Sequence, residues 1–252
     1  MNVGKTDSER KSIHEQAPQL AILLEDGPLI AINKPAGLLT QGVPDAHPSL
    51  DQQVKSYLKS KLNKPGNVYL GVPHRLDRPV SGIVIFAKNS KAAARLAEQF
   101  RERSLRKFYL AVTERVPEPT EGSLCDWLLK DAENAHVSVV SKGTESARHA
   151  ELYYEVIAVT DGRALVQIEL HTGRMHQIRV QFASRGWPIV GDQQYGATTA
   201  FDPSVAYDRR SSPIALHAWR LQLKHPIRYD AIDLKAPLPA EWSRFGFTEP
   251  KF

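Results

Sequence analysis

The sequence predicts an α+β fold, with a mostly antiparallel central sheet and flanking helices. Three observations carry this prediction: strand-like segments occur in hairpins, helical segments lie between them, and no regular βαβ repeat is present. Antiparallel strands can follow each other directly, whereas parallel strands need a long crossover. Residues 1–18 are polar and are predicted to be a disordered tail, and residues 19–252 are predicted to be a single domain.

Two short turns predict hairpins. Asp26-Gly27-Pro28 separates two apolar runs, and Asp161-Gly162 separates ELYYEVIAV from RALVQIELH. Asp-Gly pairs favour hairpins because both residues tolerate the positive φ that a tight turn requires. Further strands are predicted at 69–73 and 82–88, along RKFYLAVTE from Arg106, and along PIALHAWRLQLKHP. Residues 115–145 are interpreted as an irregular excursion with a short strand near HVSVVS.

Three segments are predicted to contain helices. PSLDQQVKSYLKSKL has Ser49 as its N-cap, Gln52 three residues later, and an apolar stripe of Leu50, Val54, Tyr57, Leu58 and Leu62. NSKAAARLAEQFRER begins at an Asn89 or Ser90 cap and turns Leu96 and Phe100 inward. TGRMHQIRVQFASRG is predicted to be a loop entering a helix that stops at Gly186.

Composition excludes several classes of protein. The chain has 252 residues, is 42% apolar and carries a formal net charge of +5, which favours a polyanionic partner. With Cys125 as its only cysteine, it can form neither a disulfide framework nor a cysteine-rich zinc site. No run approaches the ~20 apolar residues that span a bilayer, and the polar start is not a signal peptide. We expect a cytoplasmic monomer without a membrane partner.

The segment HRLDRPVSGIVIFAK, residues 74–88, places one carboxylate among cationic side chains. Asp77 is flanked by Arg75 and Arg78, with His74 three residues before it. Neighbouring cations favour the charged form of an aspartate, which can then act as a nucleophile or a base. Alternatively, Asp77 caps backbone N–H groups in a structural turn and the arginines are solvated.

A second candidate site is HTGRMHQIR, residues 171–179. Arg174 and His176 lie near a predicted helix start, where basic groups suit an anion, and Arg179 lies one turn inward. Arg174 and Arg179 diverge on a helix and can face two targets, one outside and one inside. A basic surface turn is the alternative. Tyr109 alternates with core residues on a strand, either as packing or as a stacking surface for a base.

His74, His171, His176 and His217, together with Asp77, raise the alternative of a metal site. Their spacing matches no zinc signature such as H-E-x-x-H, and the neighbouring arginines would repel a cation. We therefore expect neither a metal nor another cofactor.

Taken together and in order, these segments resemble the RluA-type pseudouridine synthases, which isomerise uridine to pseudouridine in ribosomal or transfer RNA. The segments that carry the resemblance are INKPAGLL, HRLDRPVSGIVIFAK, KFYLAV, TGRMHQIRVQFASRGWPIVGDQQYG and ALHAWRL, between about residues 20 and 240. The resemblance implies that family's catalytic domain, with a central cleft, and RNA as partner. The small N-terminal RNA-binding domain of many members would have no room in the first twenty residues.

The resemblance also implies roles for individual residues. Asp77 is the expected catalytic aspartate, Tyr109 packs on the target base, and Arg179 is the ion-pair partner of the aspartate. Ile178 lines the pocket, and Arg75 enters the RNA stack in place of a flipped uridine. Arg78, His74, Arg174 and His176 complete the set of expected RNA contacts. Val80 and Gln181 depart from the family's common threonine and histidine, which bears on substrate preference.

Two other functions remain as alternatives. A non-catalytic RNA-binding protein could keep the scaffold, but a degenerate binder would be expected to have lost one of Asp77, Tyr109 and Arg179. A metal-dependent hydrolase using the histidines would lose its activity to a chelator.

Overall fold

A computed structural model describes residues 20–42, 47–63 and 65–248, so the predicted tail lies outside the described residues. The strands are β1 (Ile22–Asp26), β2 (Leu29–Lys34), β3 (Ser81–Ala87), β4 (Arg106–Thr113), β5 (Glu121–Asp131), β6 (His136–Val140), β7 (Arg148–Thr160), β8 (Arg163–Leu170), β9 (Leu216–Lys224) and β10 (Ala231–Lys235). The α-helices are α1 (Leu50–Lys61), α2 (Ser90–Glu102) and α3 (Gln177–Ala183). Short 3₁₀ turns cover Gln193–Tyr195 and Ala240–Phe245.

The described strands form one sheet in the order β1-β2-β3-β9-β4-β8-β7-β5-β6, with β10 also paired to β9. Among these described strands, only the short β3–β9 pairing is parallel. The prediction of an α+β fold with a mostly antiparallel sheet is confirmed. The single-domain prediction for residues 19–252 stays a prediction, which the continuous sheet supports.

Both faces of the sheet are covered near β2 and β3. Ile30 and Ile32 of β2 belong to one buried cluster with α1, whereas Leu29 and Ala31 belong to a second buried cluster with α2. Successive side chains of a strand point to opposite faces, so the two helices lie on opposite sides of the sheet. Because both faces are buried, β3 is buried along its whole length and its sequence shows no polar alternation.

The predicted turns and caps have mixed outcomes. Asp161 and Gly162 join β7 to β8 with φ of 50° and 75°, so that hairpin is confirmed. Asn89 caps α2, where its side chain accepts a hydrogen bond from the Ala92 N–H at 2.8 Å. Ser49 is the N-cap residue of α1, as predicted, but its hydroxyl donates to Asp51 and makes no capping hydrogen bond with the helix backbone.

Three strand and helix predictions were wrong in detail. Residues 69–73 form no strand but one isolated bridge, from Gly71 to Ala87, before Pro73 removes the next backbone donor. The excursion at 115–145 contains the eleven-residue β5, which pairs with both β6 and β7. Leu62, predicted on the buried stripe of α1, is 51% exposed because the helix ends before it.

Gly82 permits the close approach of β3 to β9. Its φ is +115°, and a Cβ at this position would meet the backbone N of Ala218 at 2.6 Å. An L-residue would therefore be strained and would collide with β9. The loop carrying Asp77 enters β3 immediately before this crossing, which brings it beside β4 and β9.

Candidate active site

A cavity of about 110 Å³ lies where the loop before β3, strand β4, the segment entering α3 and the start of β9 meet. Of the nine predicted site residues, seven line it: Arg75, Asp77, Tyr109, Arg174, His176, Ile178 and Arg179. These residues come from three separate parts of the sequence, and the fold brings them to one place. The described residues also form a larger and mainly apolar cavity of about 760 Å³, and none of the nine predicted site residues lines it.

Asp77 faces this cavity between two nitrogen-bearing side chains. Its Oδ2 lies 3.8 Å from the Nη1 of Arg179 and 3.8 Å from the Nε2 of His176. Both distances exceed those of a good hydrogen bond, and the Asp77 side chain is 32% exposed. The carboxylate is therefore held near a cation while one side stays open to a substrate.

Two buried side chains that the sequence analysis did not single out hold the Asp77 loop. The Thr40 hydroxyl donates to the Leu76 carbonyl at 2.9 Å and accepts from the Leu76 N–H at 3.0 Å. The Lys34 ammonium donates to the carbonyls of Leu38 and Arg78 at 2.8 and 3.3 Å. Burial lowers the pKa of Lys34 to about 7. The segment INKPAGLL therefore has a structural role, because its Lys34 supports the loop that carries Asp77.

Arg179 lies within ion-pair distance of Asp77, as the resemblance implied, but its closer ion-pair partner is Asp192. Arg179 Nε and Nη2 donate to the two carboxylate oxygens of Asp192 at 2.7 and 2.8 Å, and Nη2 also donates to Gln194 at 3.1 Å. The Arg179 and Asp192 side chains are only 3% and 1% exposed. The planar guanidinium fork matches a carboxylate bidentately and still leaves Nη1 directed at Asp77. The signal for this partner in the sequence was Asp192, the acidic residue of GDQQYG.

His176 is tied to a tyrosine on its other side. Its Nδ1 lies 2.8 Å from the Tyr195 hydroxyl, which also accepts a hydrogen bond from the Val137 N–H at 3.0 Å. Burial lowers the pKa of His176 to about 4, although the Asp77 carboxylate opposes this shift. The ring is then neutral at pH 7. In this hydrogen-bond network Nδ1 accepts a hydrogen bond from the Tyr195 hydroxyl, which assigns the ring proton to Nε2, the nitrogen that faces Asp77.

We expect the protein to lose stability as the pH falls from about 6.5 towards 4. The pKa of His176 is lowered from 6.5 to about 4 in the folded chain, so the unfolded chain binds its proton first. The contribution of neutral His176 to stability is fully present above pH 6.5 and is lost as the pH falls. The pKa of buried His217 is also lowered to about 4, so this residue adds to the loss of stability. Chemical denaturation of the parent and of His176→Gln at pH 7.5 and 5 checks this. An equal loss in both proteins would contradict it.

Tyr109 lies on β4 and is half-buried, next to the fully buried Leu110. Burial and the nearby Asp77 carboxylate both raise the pKa of its hydroxyl, so the phenol stays protonated at neutral pH. Its ring is a wall of the cavity that Asp77 faces. The geometry fits both a stacking surface and a proton relay.

The structure does not bring His74 or Arg78 to the cavity wall. The His74 Nε2 accepts a hydrogen bond from the Ile85 N–H at 3.1 Å, and its ring stacks on Phe100 with centroids 4.5 Å apart. The Arg78 Nε donates to the Gly37 carbonyl at 2.8 Å. Both groups, expected to contact RNA, make intramolecular contacts that support the Asp77 loop.

The histidines of the alternative metal site do not gather around Asp77. Among the described residues, His176 is the only one of these histidines within 4 Å of the Asp77 carboxylate. The Nδ1 of buried His217 is instead hydrogen-bonded to the Ser81 hydroxyl at 2.8 Å. A different group, Cys125, His149 and Glu151, has ligand atoms within 4.8 Å of one another on β5 and β7. That group is the one set of three potential metal ligands found in the part of the chain described, and it lies outside the cavity.

Residues 28–184 match the model of the RNA pseudouridylate synthase family. The chain belongs to this family. It is an RNA pseudouridine synthase, an isomerase that acts on RNA, as its resemblance to the RluA-type enzymes implied.

Relatives cover most of the synthase. It is 33% identical to ribosomal large subunit pseudouridine synthase D of Nitrosomonas europaea, over 94% of this chain and 67% of that protein. It is 34% identical to an uncharacterized RNA pseudouridine synthase of Zymomonas mobilis, over 90% and 97% of the two chains. The structure of human RNA pseudouridylate synthase domain containing 4 superposes with a TM-score of 0.74 at 25% identity, over 92% and 95%. No helix of the described residues is long and apolar enough to cross a membrane.

Proposed function

We propose that this synthase isomerises specific uridines in structured rRNA or tRNA, that the target base is flipped into the 110 Å³ cavity, and that Asp77 is essential. The observation that carries the proposal is that the carboxylate of Asp77 shares this cavity with the Tyr109 ring and the Arg179 guanidinium. Relatives named as ribosomal large subunit synthases support rRNA as the substrate class.

The reaction needs a carboxylate and an enclosed space. The N1–C1′ glycosidic bond breaks, the base turns, and a C5–C1′ bond forms, while C5 loses a proton and N1 gains one. Atoms and electrons balance without a redox partner. Asp77 can attack the sugar, attack the base or remove a sugar proton, and each of these steps uses its charged form. Arg179 stabilises that charge from 3.8 Å, and neutral His176 faces it from the same distance.

The size of the cavity supports base flipping. At about 110 Å³ the cavity has room for a small planar group but not for a helical strand. A base in a helix or folded loop must therefore leave its stack to reach Asp77. Arg75 is exposed on the cavity rim, where it can fill the gap that the base leaves.

A tritium-release assay tests the proposal in vitro. Unmodified rRNA and tRNA transcripts containing uridine tritiated at C5 are incubated with the purified chain. The proposal predicts tritium release and pseudouridine at one or a few positions, with no loss after dialysis against a chelator. If no transcript releases tritium, the proposal is contradicted. Loss of activity after treatment with the chelator would favour the metal-dependent alternative.

Tyr109→Phe separates stacking from proton transfer. Because the Tyr109 pKa is raised, the hydroxyl can take part only as a protonated relay. If it relays the C5 proton, as we propose, Phe should stall the reaction after the glycosidic bond has broken and suppress tritium release. If Tyr109 only stacks, Phe should retain much of the activity. Tyr109→Ala should impair both, since base–aromatic stacking is worth ~1–3 kcal/mol. Parental turnover by Tyr109→Ala would show that Tyr109 is a packing residue.

A further inference from the structure

Four cationic side chains, Arg103, Lys107, Arg148 and Arg174, lie together beside the cavity, and we call them the cationic cluster. Arg174 lines the cavity itself, and the Lys107 ammonium donates to the Thr172 carbonyl at 3.3 Å, two residues before Arg174. The Arg174 Nε donates to the carbonyl of His149, the residue after Arg148, at 3.0 Å. Burial lowers the pKa of Arg174, and the nearby charges of Arg103 and Arg148 lower it further. Burial and Arg103 lower the pKa of Lys107 to about 8.

The members of the cationic cluster lack carboxylate partners among the described residues, unlike Arg106. Among the described residues, none of its four members has a carboxylate oxygen within 4.0 Å. Arg106, the neighbour of Lys107 in sequence, pairs with Glu169 at 2.8 Å, and Arg185 pairs with Asp126 at 3.0 Å. These two arginines are neutralised by carboxylates, whereas the four members of the cationic cluster are not.

Grouping unpaired cations is unfavourable in the free protein, because like charges disfavour one another's charged forms. An anion that bridges several of them removes this repulsion. The three residues Arg103, Arg148 and Arg174 are exposed and Lys107 is half-buried, so a ligand can reach the cationic cluster from solvent. A chain of phosphates can contact several separated cations at once, which a single small anion cannot.

We propose that the cationic cluster binds backbone phosphates of the RNA next to the target uridine, which makes Arg103, Lys107 and Arg148 positioning residues. This inference rests on the proposed function, because the position of the target base in the cavity fixes where the flanking phosphates run. Phosphate contacts set register and orientation without reading sequence. The cationic cluster therefore contributes affinity and placement, and the choice of uridine comes from other contacts.

Binding as a function of salt tests the cationic cluster. The probe is unmodified large-subunit rRNA transcribed in vitro, and the variant is Arg103→Asn/Lys107→Gln/Arg148→Gln, which leaves Arg174 in place. Asn is used at 103 because that residue has a φ of 55°, which Asn tolerates. We expect Kd to rise at least about ten-fold at 0.15 M salt. The slope of log K against log salt should shrink by roughly 2, at ~0.7 per lost phosphate contact.

Controls separate this inference from the proposed function. Lys91→Gln removes one exposed charge near the other end of α2, roughly 18 Å from Arg103 at 1.5 Å per residue. It should leave Kd and slope unchanged. The double variant Arg103→Asn/Arg148→Gln keeps half-buried Lys107 and covers the case in which the triple variant fails to fold.

The rate at saturating RNA is the readout that distinguishes positioning from catalysis. We expect it to stay within about two-fold of the parent while Kd rises, since the cavity is intact. A variant with parental Kd and parental salt slope would overturn the inference, even if the parent converts uridine normally. A parent without activity but with the expected salt effect would instead count against the proposed function alone.

Discussion

Asp77→Asn is expected to abolish pseudouridine formation and leave RNA binding and folding nearly unchanged. The amide keeps the size of the side chain but removes the charge that the bond-breaking step uses. The Asp77 carboxylate makes no bond shorter than 3.8 Å to its two neighbours and is 32% exposed, so the change should cost little stability. Tritium release and thermal unfolding, measured on the same preparation, check both halves of this expectation.

The matched control for this variant is Asp161→Asn. Asp161 lies in the β7–β8 turn with a φ of 50°, a conformation that Asn also tolerates. The substitution makes the same chemical change and should keep parental activity. Appreciable turnover by a clean sample of Asp77→Asn would remove Asp77 from the mechanism.

Arg179→Met is expected to have the largest effect on stability. It leaves the carboxylate of Asp192, which is 1% exposed, buried without its bidentate partner. Removing one partner of a buried pair costs ~3–5 kcal/mol in unfolding free energy. For a chain of this size that corresponds to a melting temperature lower by roughly 6–20 °C. Activity should fall as well, because the cation nearest Asp77 is lost.

A double-mutant cycle shows which carboxylate Arg179 serves. If Asp192 is its structural partner, Arg179→Met/Asp192→Leu should recover much of the lost stability, whereas Arg179→Met/Asp77→Asn should not. Neither double variant should regain activity. An Arg179→Met protein as stable as the parent would show that the pair with Asp192 contributes nothing.

Local chemistry made much of the fold predictable. The Asp161-Gly162 turn and the Asn89 cap depend on residues within a few positions of each other, so the sequence predicted them correctly. Strand β5 was missed because most of its pairing is with the distant strand β7, and that pairing outweighs the turn-rich composition around β5. Residues 69–73 had the right composition for a strand but only one bridge partner.

The candidate site was predictable in its members but not in its partnerships. Segments that resemble a known family identified seven residues that the fold gathers at one cavity. The choice of Asp192 by Arg179 and the contact of His74 with Ile85 depend on side-chain directions that spacing does not fix. The grouping of the cationic cluster could not be predicted either, because Arg103 and Arg148 are forty-five positions apart. Tertiary structure alone sets these contacts.

The most direct test of the central claim is pseudouridine mapping of rRNA and tRNA from cells with and without this gene. One or a few pseudouridines should disappear on deletion. They should return with the parental gene and with Asp161→Asn, but not with Asp77→Asn. An unchanged pseudouridine map on deletion, or full restoration by Asp77→Asn, would contradict the account.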